Sequence, residues 1–310
     1  MVSPLPFQSS GDPALDRRLD WARAYLEDDA AVAAGMLADL AAEAPRFIAA
    51  WFLLGEAHET TGDLADAAAA YGEALRLDPD DTLGAGIRLA RLGARDASGA
   101  MSPAFVRTLF DQYAPRFDTA LRDGLAYRGP ELLAEAVQRA CTSSGRALHF
   151  RRLIDLGCGT GLAAPLFAPM AREMVGVDLS PAMVERAAVL GLYAELHAQE
   201  MAAFLERQAA ASADTIIAVD ALCYVGDLAP IFSAARRALR PDGLFAFTVE
   251  THDGAGMILR DTLRYAHGAA LVEAGLGAAG FRVLDLSAAA TRTEKNAPVP
   301  GLVCVADAAG

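Results

Sequence analysis

Lysine is almost missing from this chain of 310 residues: Lys295 is the only one, so Arg supplies nearly all of the 27 basic groups. Cysteine is scarce as well. Cys141, Cys158, Cys223 and Cys304 lie far apart and form no C-x-x-C pair, which speaks against a zinc site or a disulfide framework and for a reducing compartment. No apolar run approaches the roughly 18 residues needed to span a bilayer. The start, Met1-Val2-Ser3-Pro4-Leu5-Pro6-Phe7, lacks the basic region and apolar core of a signal peptide. A cytoplasmic protein without membrane association is expected. Positive charge is also in deficit, with a net charge of −13, and phosphate binding needs concentrated Lys and Arg, so nucleic acid is not the expected partner. H-E-x-x-H, G-x-S-x-G and any metal-ligand cluster are absent too, and no metal is expected.

What is present is a hydrophobic content of 54% with 22% charged residues, the composition of a globular protein with room for about two domains. The charge divides unevenly: residues 1 to 100 hold 17 acidic and 8 basic groups, the remainder 23 and 19. Residues 1–13, with three prolines, read as a mobile tail. Helical texture begins near Leu15. Trp51, Leu54, Gly55 and His58, followed by Gly62, Ala67, Tyr71, Ala74 and Pro79, resemble a tetratricopeptide repeat of about 34 residues, His58 standing where the pattern prefers Tyr. Pro45 and Ala33 fall in phase with Pro79 and Ala67, so a degenerate repeat precedes the clear one and residues 82–95 read as an end helix. An array this short leans on a neighbour, and its concave face is a possible docking surface for a protein partner. The helical repeats are assigned to residues 14–97, with a linker rich in Ala, Gly and Ser at 93–102.

The most informative stretch is Leu153-Ile154-Asp155-Leu156-Gly157-Cys158-Gly159-Thr160-Gly161, an apolar strand running into a glycine-rich turn as a helix begins. Glycines at alternate positions let the backbone turn tightly and approach a ligand, and a following helix aims free N–H groups at the same point. A dinucleotide loop needs a third glycine where Leu162 stands, which counts against a nicotinamide-dependent reductase. The D-x-G-x-G-x-G spacing, together with Asp178 ending Met174-Val175-Gly176-Val177-Asp178, instead resembles class I S-adenosylmethionine-dependent methyltransferases. The resemblance covers residues 102–310.

That resemblance implies a Rossmann-like, seven-stranded α/β sheet, mostly parallel with its last strand antiparallel, behind the all-α repeat region. It implies that Gly157, Gly159 and Gly161 wrap the methionine part of S-adenosylmethionine, with Asp155 near the ammonium and Asp178 on the ribose hydroxyls. Glu200 and Met201 fall where the family contacts adenine, Glu200 in place of the commoner Asp. Asp220 ends the fourth strand, where the chain passes cofactor and substrate. Residues 102–150 resemble a helix pair lying over the cofactor as a lid, with Tyr113, Phe117 and Tyr127 as walls; residues 151–310 form the sheet core. Alternating apolar runs place strands at 153–156, 174–178, 194–198, 215–219 and 244–249, with helices near 161–172, 181–190, 201–209, 228–240 and 263–279 and closing strands at 281–286 and 301–306. If the acceptor has to lose a proton, His252 and His267 are the candidates, since a histidine titrates near neutrality. The expected activity is methyl transfer by in-line displacement to a small-molecule acceptor. The alternatives are a protein or carrier-bound substrate recruited by the repeats, and a scaffold that binds the cofactor without turnover.

Overall fold

The computed structural model describes residues 9–119, 126–294 and 296–308, in two compact units that divide between Thr108 and Leu109. The first unit is helical: α1 Pro13–Asp28, α2 Ala30–Glu43, α3 Ile48–Thr61, α4 Leu64–Leu77 and the short α5 Ala85–Arg91. Residues 1–8 of the expected tail lie outside the described residues, and residues 9–12 form a helix cap. Ser9 and Ser10 donate to Asp16, and the Asp12 carboxylate accepts the Ala14 N–H at 2.7 Å, so α1 starts at Pro13. Asp29 caps α2 in the same way.

Ala33 and Ala67, the two in-phase positions, are both fully buried, and each lets a helix close on its neighbour. Gly55 has the same purpose, because a Cβ built there stands 2.6 Å from the Tyr71 ring. Tyr71 is fully buried, stacks near Phe52 and donates its hydroxyl to Glu59 at 2.9 Å. The end helix is shorter than the expected 82–95, since Asp81 and Gly84 both take left-handed φ in the turn before it.

The second unit is built on a sheet of order β3-β2-β1-β4-β5-β11-β8: β1 Phe150–Leu156, β2 Ala171–Asp178, β3 Glu195–Ala198, β4 Ala213–Ala218, β5 Leu239–Glu250, β8 Arg282–Ala288 and β11 Gly301–Asp307. The first five run parallel, while β11 is antiparallel to both its neighbours. Two short strands, β6 Met257–Leu259 and β7 Tyr265–His267, hang off β5, and β9 Thr293–Glu294 pairs with β10 Ala297–Pro298 in the loop before β11. Alternation fixes the two faces. Phe245, Phe247 and Val249 join one core with Ile231, Phe232 and Leu276, while Leu244 and Ala246 join the other with Leu133, Val137 and Phe167.

Three expectations are corrected. The helix expected at 161–172 is only Ala164–Phe167 and a single tighter turn, because Pro165 and Pro169 interrupt the ladder and β2 already begins at Ala171. The helix expected from 263 starts at Ala269: Leu263 takes a left-handed φ, and Gly268 bonds Gly256 so tightly that a Cβ would lie 2.3 Å from the Gly254 carbonyl oxygen. Of the expected lid pair, helix Gly129–Ser143 packs its Leu133, Val137 and Ala140 against Leu153, Val303 and Val305 and is a layer of the sheet. Residues 120–125 of that pair lie outside the described residues. None of the described helices is long and apolar enough to cross a membrane.

Both tryptophans, Trp21 and Trp51, belong to the helical unit, so their fluorescence follows that unit alone. Tyr71→Ala should lower its stability by about 3–5 kcal/mol, read as an earlier urea midpoint in tryptophan fluorescence, whereas Tyr71→Phe should cost only about 1 kcal/mol for the lost hydroxyl. Equal effects of the two substitutions would contradict the packing described.

Candidate functional site

The chain order of the sheet reverses between β1 and β4, and in such sheets ligands bind in the crevice at the carboxyl ends of those strands. Gly157, Gly159 and Gly161 follow β1 with φ of 66°, 54° and 86°, a region where side chains are strained. A Cβ at Gly157 would meet the Ala221 methyl after β4 at 2.4 Å, and one at Gly161 would meet Leu190 at 2.6 Å. Gly159 differs. Among the described residues, only Phe117, at 3.8 Å, comes within 4 Å of a Cβ built there, so of these residues none but Phe117 crowds the middle of the loop.

Asp178 ends β2 beside this loop. Its Oδ2 accepts the Gly159 N–H at 2.9 Å and its Oδ1 the Ser180 N–H at 2.8 Å, so the carboxylate is oriented before any ligand arrives. Burial raises its pKa, with those amides opposing. Asp155, on the penultimate residue of β1, is 1% exposed and accepts the Tyr193 hydroxyl at 2.7 Å. Burial pushes its carboxyl up to about 7; the Tyr193 hydrogen bond works against this and the nearby Asp178 charge adds to it. The Tyr193 ring also lies 3.3 Å from a Cβ built at Gly161 and 2.9 Å from one at Gly176, so one side chain backs the loop, the second strand and the buried acid together.

Residues 109–119 cover the loop. Thr160 donates to Asp118 at 2.5 Å, while the Ser180 hydroxyl and the Ala182 N–H both reach Asp111. Tyr113 contacts the ring of Phe117 edge-on at 5.5 Å, Phe117 meets Phe110, and Phe110 meets Tyr224 at 5.1 Å, forming a continuous row of half-buried rings. Met201 Cε is 3.9 Å from a Cβ built at Gly157, at the loop's edge. Glu200 is otherwise engaged. It spends one oxygen on the Ala202 N–H and the other on the Ala203 N–H, capping helix Met201–Arg207.

Asp220 takes a left-handed φ of 50° after β4, and its Oδ1 accepts the hydroxyls of Thr248 and Thr291. The two histidines are corrected. His252 closes its own turn, accepting the Gly254 N–H at Nδ1 and holding the Gly256 carbonyl with Nε2, which leaves neither nitrogen for a substrate. His267 is fully buried in β7 against the Gly226 carbonyl, and burial lowers its pKa. Sequence reasoning passed over Tyr193, Asp111, Asp118, Thr248, Thr291 and Arg292. None sits in a short motif, and Thr291 reaches Asp220 across 71 residues of chain. Among the described residues, no group of three or more His, Cys, Asp or Glu side chains is arranged to hold a metal ion.

The buried Asp155 has a thermodynamic signature. Its folded-state pKa of about 7 lies above the ordinary 3.8, so between these values the folded chain binds more protons than the unfolded one and stability falls as pH rises. Asp155→Asn removes that term. In thermal melts of the ligand-free protein its Tm, relative to the wild type, should climb from about pH 4 to about pH 7 and then level off. A difference independent of pH would rule out the shifted carboxyl.

A sequence profile for methyltransferase domains matches residues 117–284, and one for the tetratricopeptide repeat matches 48–81. Human methyltransferase-like protein 27 is 36% identical over 107 residues, 34% of this chain and 42% of that protein. The ubiquinone biosynthesis O-methyltransferase of Azorhizobium caulinodans is 30% identical over 164 residues, 46% of this chain and 63% of that one. The chain thus spans less than two thirds of either relative. The crystal structure of Burkholderia thailandensis 1,6-didemethyltoxoflavin-N1-methyltransferase, with bound 1,6-didemethyltoxoflavin and S-adenosylhomocysteine, shares the fold at a TM-score of 0.50 and 20% identity, over 65% of this chain and 88% of that one. The [4+2]-cyclase SpnF does so at 0.51 and 18%, over 65% and 94%. With the profile match covering more than half of its length, the chain belongs to the S-adenosylmethionine-dependent methyltransferases and carries a tetratricopeptide repeat ahead of the methyltransferase domain.

Proposed function

We propose that this protein transfers a methyl group from S-adenosylmethionine to a small-molecule acceptor, with residues 102–310 as the catalytic domain and 14–97 as a separate repeat module. The observation that carries the reading is the meeting, at the switch point of the sheet, of three left-handed glycines with the Asp178 carboxylate that the Gly159 and Ser180 amides orient. The donor set suits the cofactor: two fixed carboxylate oxygens for a vicinal diol, a buried acid behind the loop, and a loop whose middle, among the described residues, only Phe117 crowds. Asp178, Gly157, Gly159, Gly161, Asp155 and Met201 would hold it. When bound it supplies an electrophilic methyl group on a sulfonium and leaves as a neutral thioether. The protein's share is alignment and exclusion of water, so Phe117 and the Thr160–Asp118 bond, which hold the cover against the loop, matter as much as any acid or base. A cytoplasmic setting belongs to the same proposal, supported by four thiols that are free and buried.

A second reading has its own observation. A groove of about 340 Å³ in the helical unit is lined by Leu26, Glu27, Glu56, Glu59, Thr60, Arg88 and Arg91, and Arg88 pairs with Glu56 at 2.7 Å. A protein or a carrier-bound substrate recruited there would be methylated in place of a free metabolite.

Calorimetric titration with S-adenosylhomocysteine should show binding that weakens about tenfold to a hundredfold in Asp178→Ala and disappears in Gly159→Val. Unchanged affinity in both would refute the cofactor site. For the second reading, Arg88→Glu combined with Arg91→Glu should leave methylation of free small acceptors intact while abolishing transfer of labelled methyl to the macromolecular fraction of a cell extract. Label confined to small molecules in the wild type speaks for the first reading alone.

A further inference from the structure

Asp220 is built differently from a turn residue. Its backbone N–H donates to Thr248 Oγ1 at 2.8 Å, and its Oδ1 accepts from Thr248 at 2.9 Å and from Thr291 at 3.0 Å. Oδ2 is buried and has no hydrogen-bond partner among the described residues; Nη1 of Arg292 pairs with it only at 3.9 Å, beyond hydrogen-bond length. Arg292 cannot swing in, because its guanidinium is 4% exposed and tied to Glu250 and, at 3.1 Å, to Glu294. An unmatched carboxylate oxygen of this kind costs on the order of 1–3 kcal/mol, more when charged. The left-handed φ at the same residue adds backbone strain. Both penalties persist because neighbours hold the carboxylate rigidly, and rigidly held strain marks a site at work.

The surroundings say what the oxygen meets. Asp220 follows β4, whose loop touches the glycine loop through Ala221 and Gly157. From the glycine loop, the half-buried rings of Phe117, Phe110 and Tyr224 run to the helical turn Leu222–Tyr224 immediately after Asp220. Such a row offers edge and face contacts to another planar ring. The charged and titratable groups facing Asp220 are Arg292, Tyr127 and Cys223, and burial pushes both the Tyr127 hydroxyl and the Cys223 thiol upward, so neither takes a proton from a substrate at neutral pH.

We propose that Asp220 is the catalytic proton acceptor, and that the methyl acceptor is an aromatic ring bearing a hydroxyl, seated along Phe117, Phe110 and Tyr224. This rests on the methyltransferase reading above. The hydroxyl donates to Oδ2 in the bound complex. As the hydroxyl oxygen gains the methyl carbon, the carbon–sulfur bond of the donor breaks with its electron pair left on sulfur, the O–H bond breaks with its pair left on oxygen, and the proton forms a new bond to Oδ2. The carboxylic acid so formed returns its proton to water once the product leaves. Thr248 and Thr291 are positioning residues that aim Oδ2.

The test compares phenol with 4-nitrophenol, whose far more acidic hydroxyl already ionises in water around neutral pH, at a mildly alkaline pH where the nitrophenol is mostly phenolate and phenol is not. With phenol, Asp220→Asn should lower kcat by about a hundredfold or more, the usual worth of a positioned base. With 4-nitrophenol the loss should nearly vanish, and S-adenosylhomocysteine should bind as in the wild type. Thr291→Val, which leaves the carboxylate in place but less firmly aimed, should show a smaller loss of the same kind, confined to phenol. Equal losses on the two acceptors would make Asp220 structural and overturn the proposal. So would a wild type that binds S-adenosylhomocysteine yet methylates neither phenol. Failure of the wild type to bind S-adenosylhomocysteine strikes the cofactor reading itself.

Discussion

One hydrogen bond organises the switch point of the sheet: the Gly159 amide held by Asp178 at 2.9 Å. It joins the turn after β1 to the end of β2, and it fixes the carboxylate and the loop in one act. Everything nearby is arranged around that pairing. Gly157 lies too close to Ala221 for any side chain, Gly161 lies too close to Leu190, and Tyr193 fills the space behind. The glycines are therefore needed for two reasons that act together: left-handed dihedrals and close approach of a second loop.

Electrostatics sharpen the same picture. Asp155 is buried, and the nearby Asp178 charge adds to the cost of ionising it, while Asp178 is itself raised by burial and by Asp111. A cationic group arriving near the loop relieves that cost, so the ligand-free protein is held in a state that favours positive charge. On the far side of the switch point, Glu250 and Glu294 are matched by Arg260, Arg264 and Arg292 in a half-buried network, and Arg292 stands 3.9 Å from Asp220 at its edge. Such networks contribute little net stability, but they hold side chains in one geometry.

The meeting of the glycine loop with Asp178 was legible in the sequence because its parts are local. The loop is a continuous run of residues, and Asp178 ends the next strand, so their spacing and the family resemblance it carries pointed to both. The strand positions along the chain followed from alternation for the same reason. Three other candidates were read poorly. His252 and His267 stood out by chemistry, yet the first closes its own turn and the second is sealed inside β7. Glu200 sat at the right offset, but a carboxylate preceding a helix finds the helix's own amides first. The helix at 129–143 is amphipathic whether it covers a ligand or a sheet, and only its packing against Val303 and Val305, late in the chain, decides between them.

The network around Asp220 also bears on how the protein is made. The bond from Gly159 to Asp178 spans 19 residues, whereas the bonds from Thr291 to Asp220 and from Arg292 to Glu250 span 71 and 42. Closing longer loops costs more chain entropy and waits on later synthesis. On the ribosome, β1, β2 and the glycine loop emerge and can pair well before residues 291–294 exist. The glycine loop and Asp178 therefore have their parts first, and the groups that hold the Asp220 carboxylate arrive among the last segments to join the sheet.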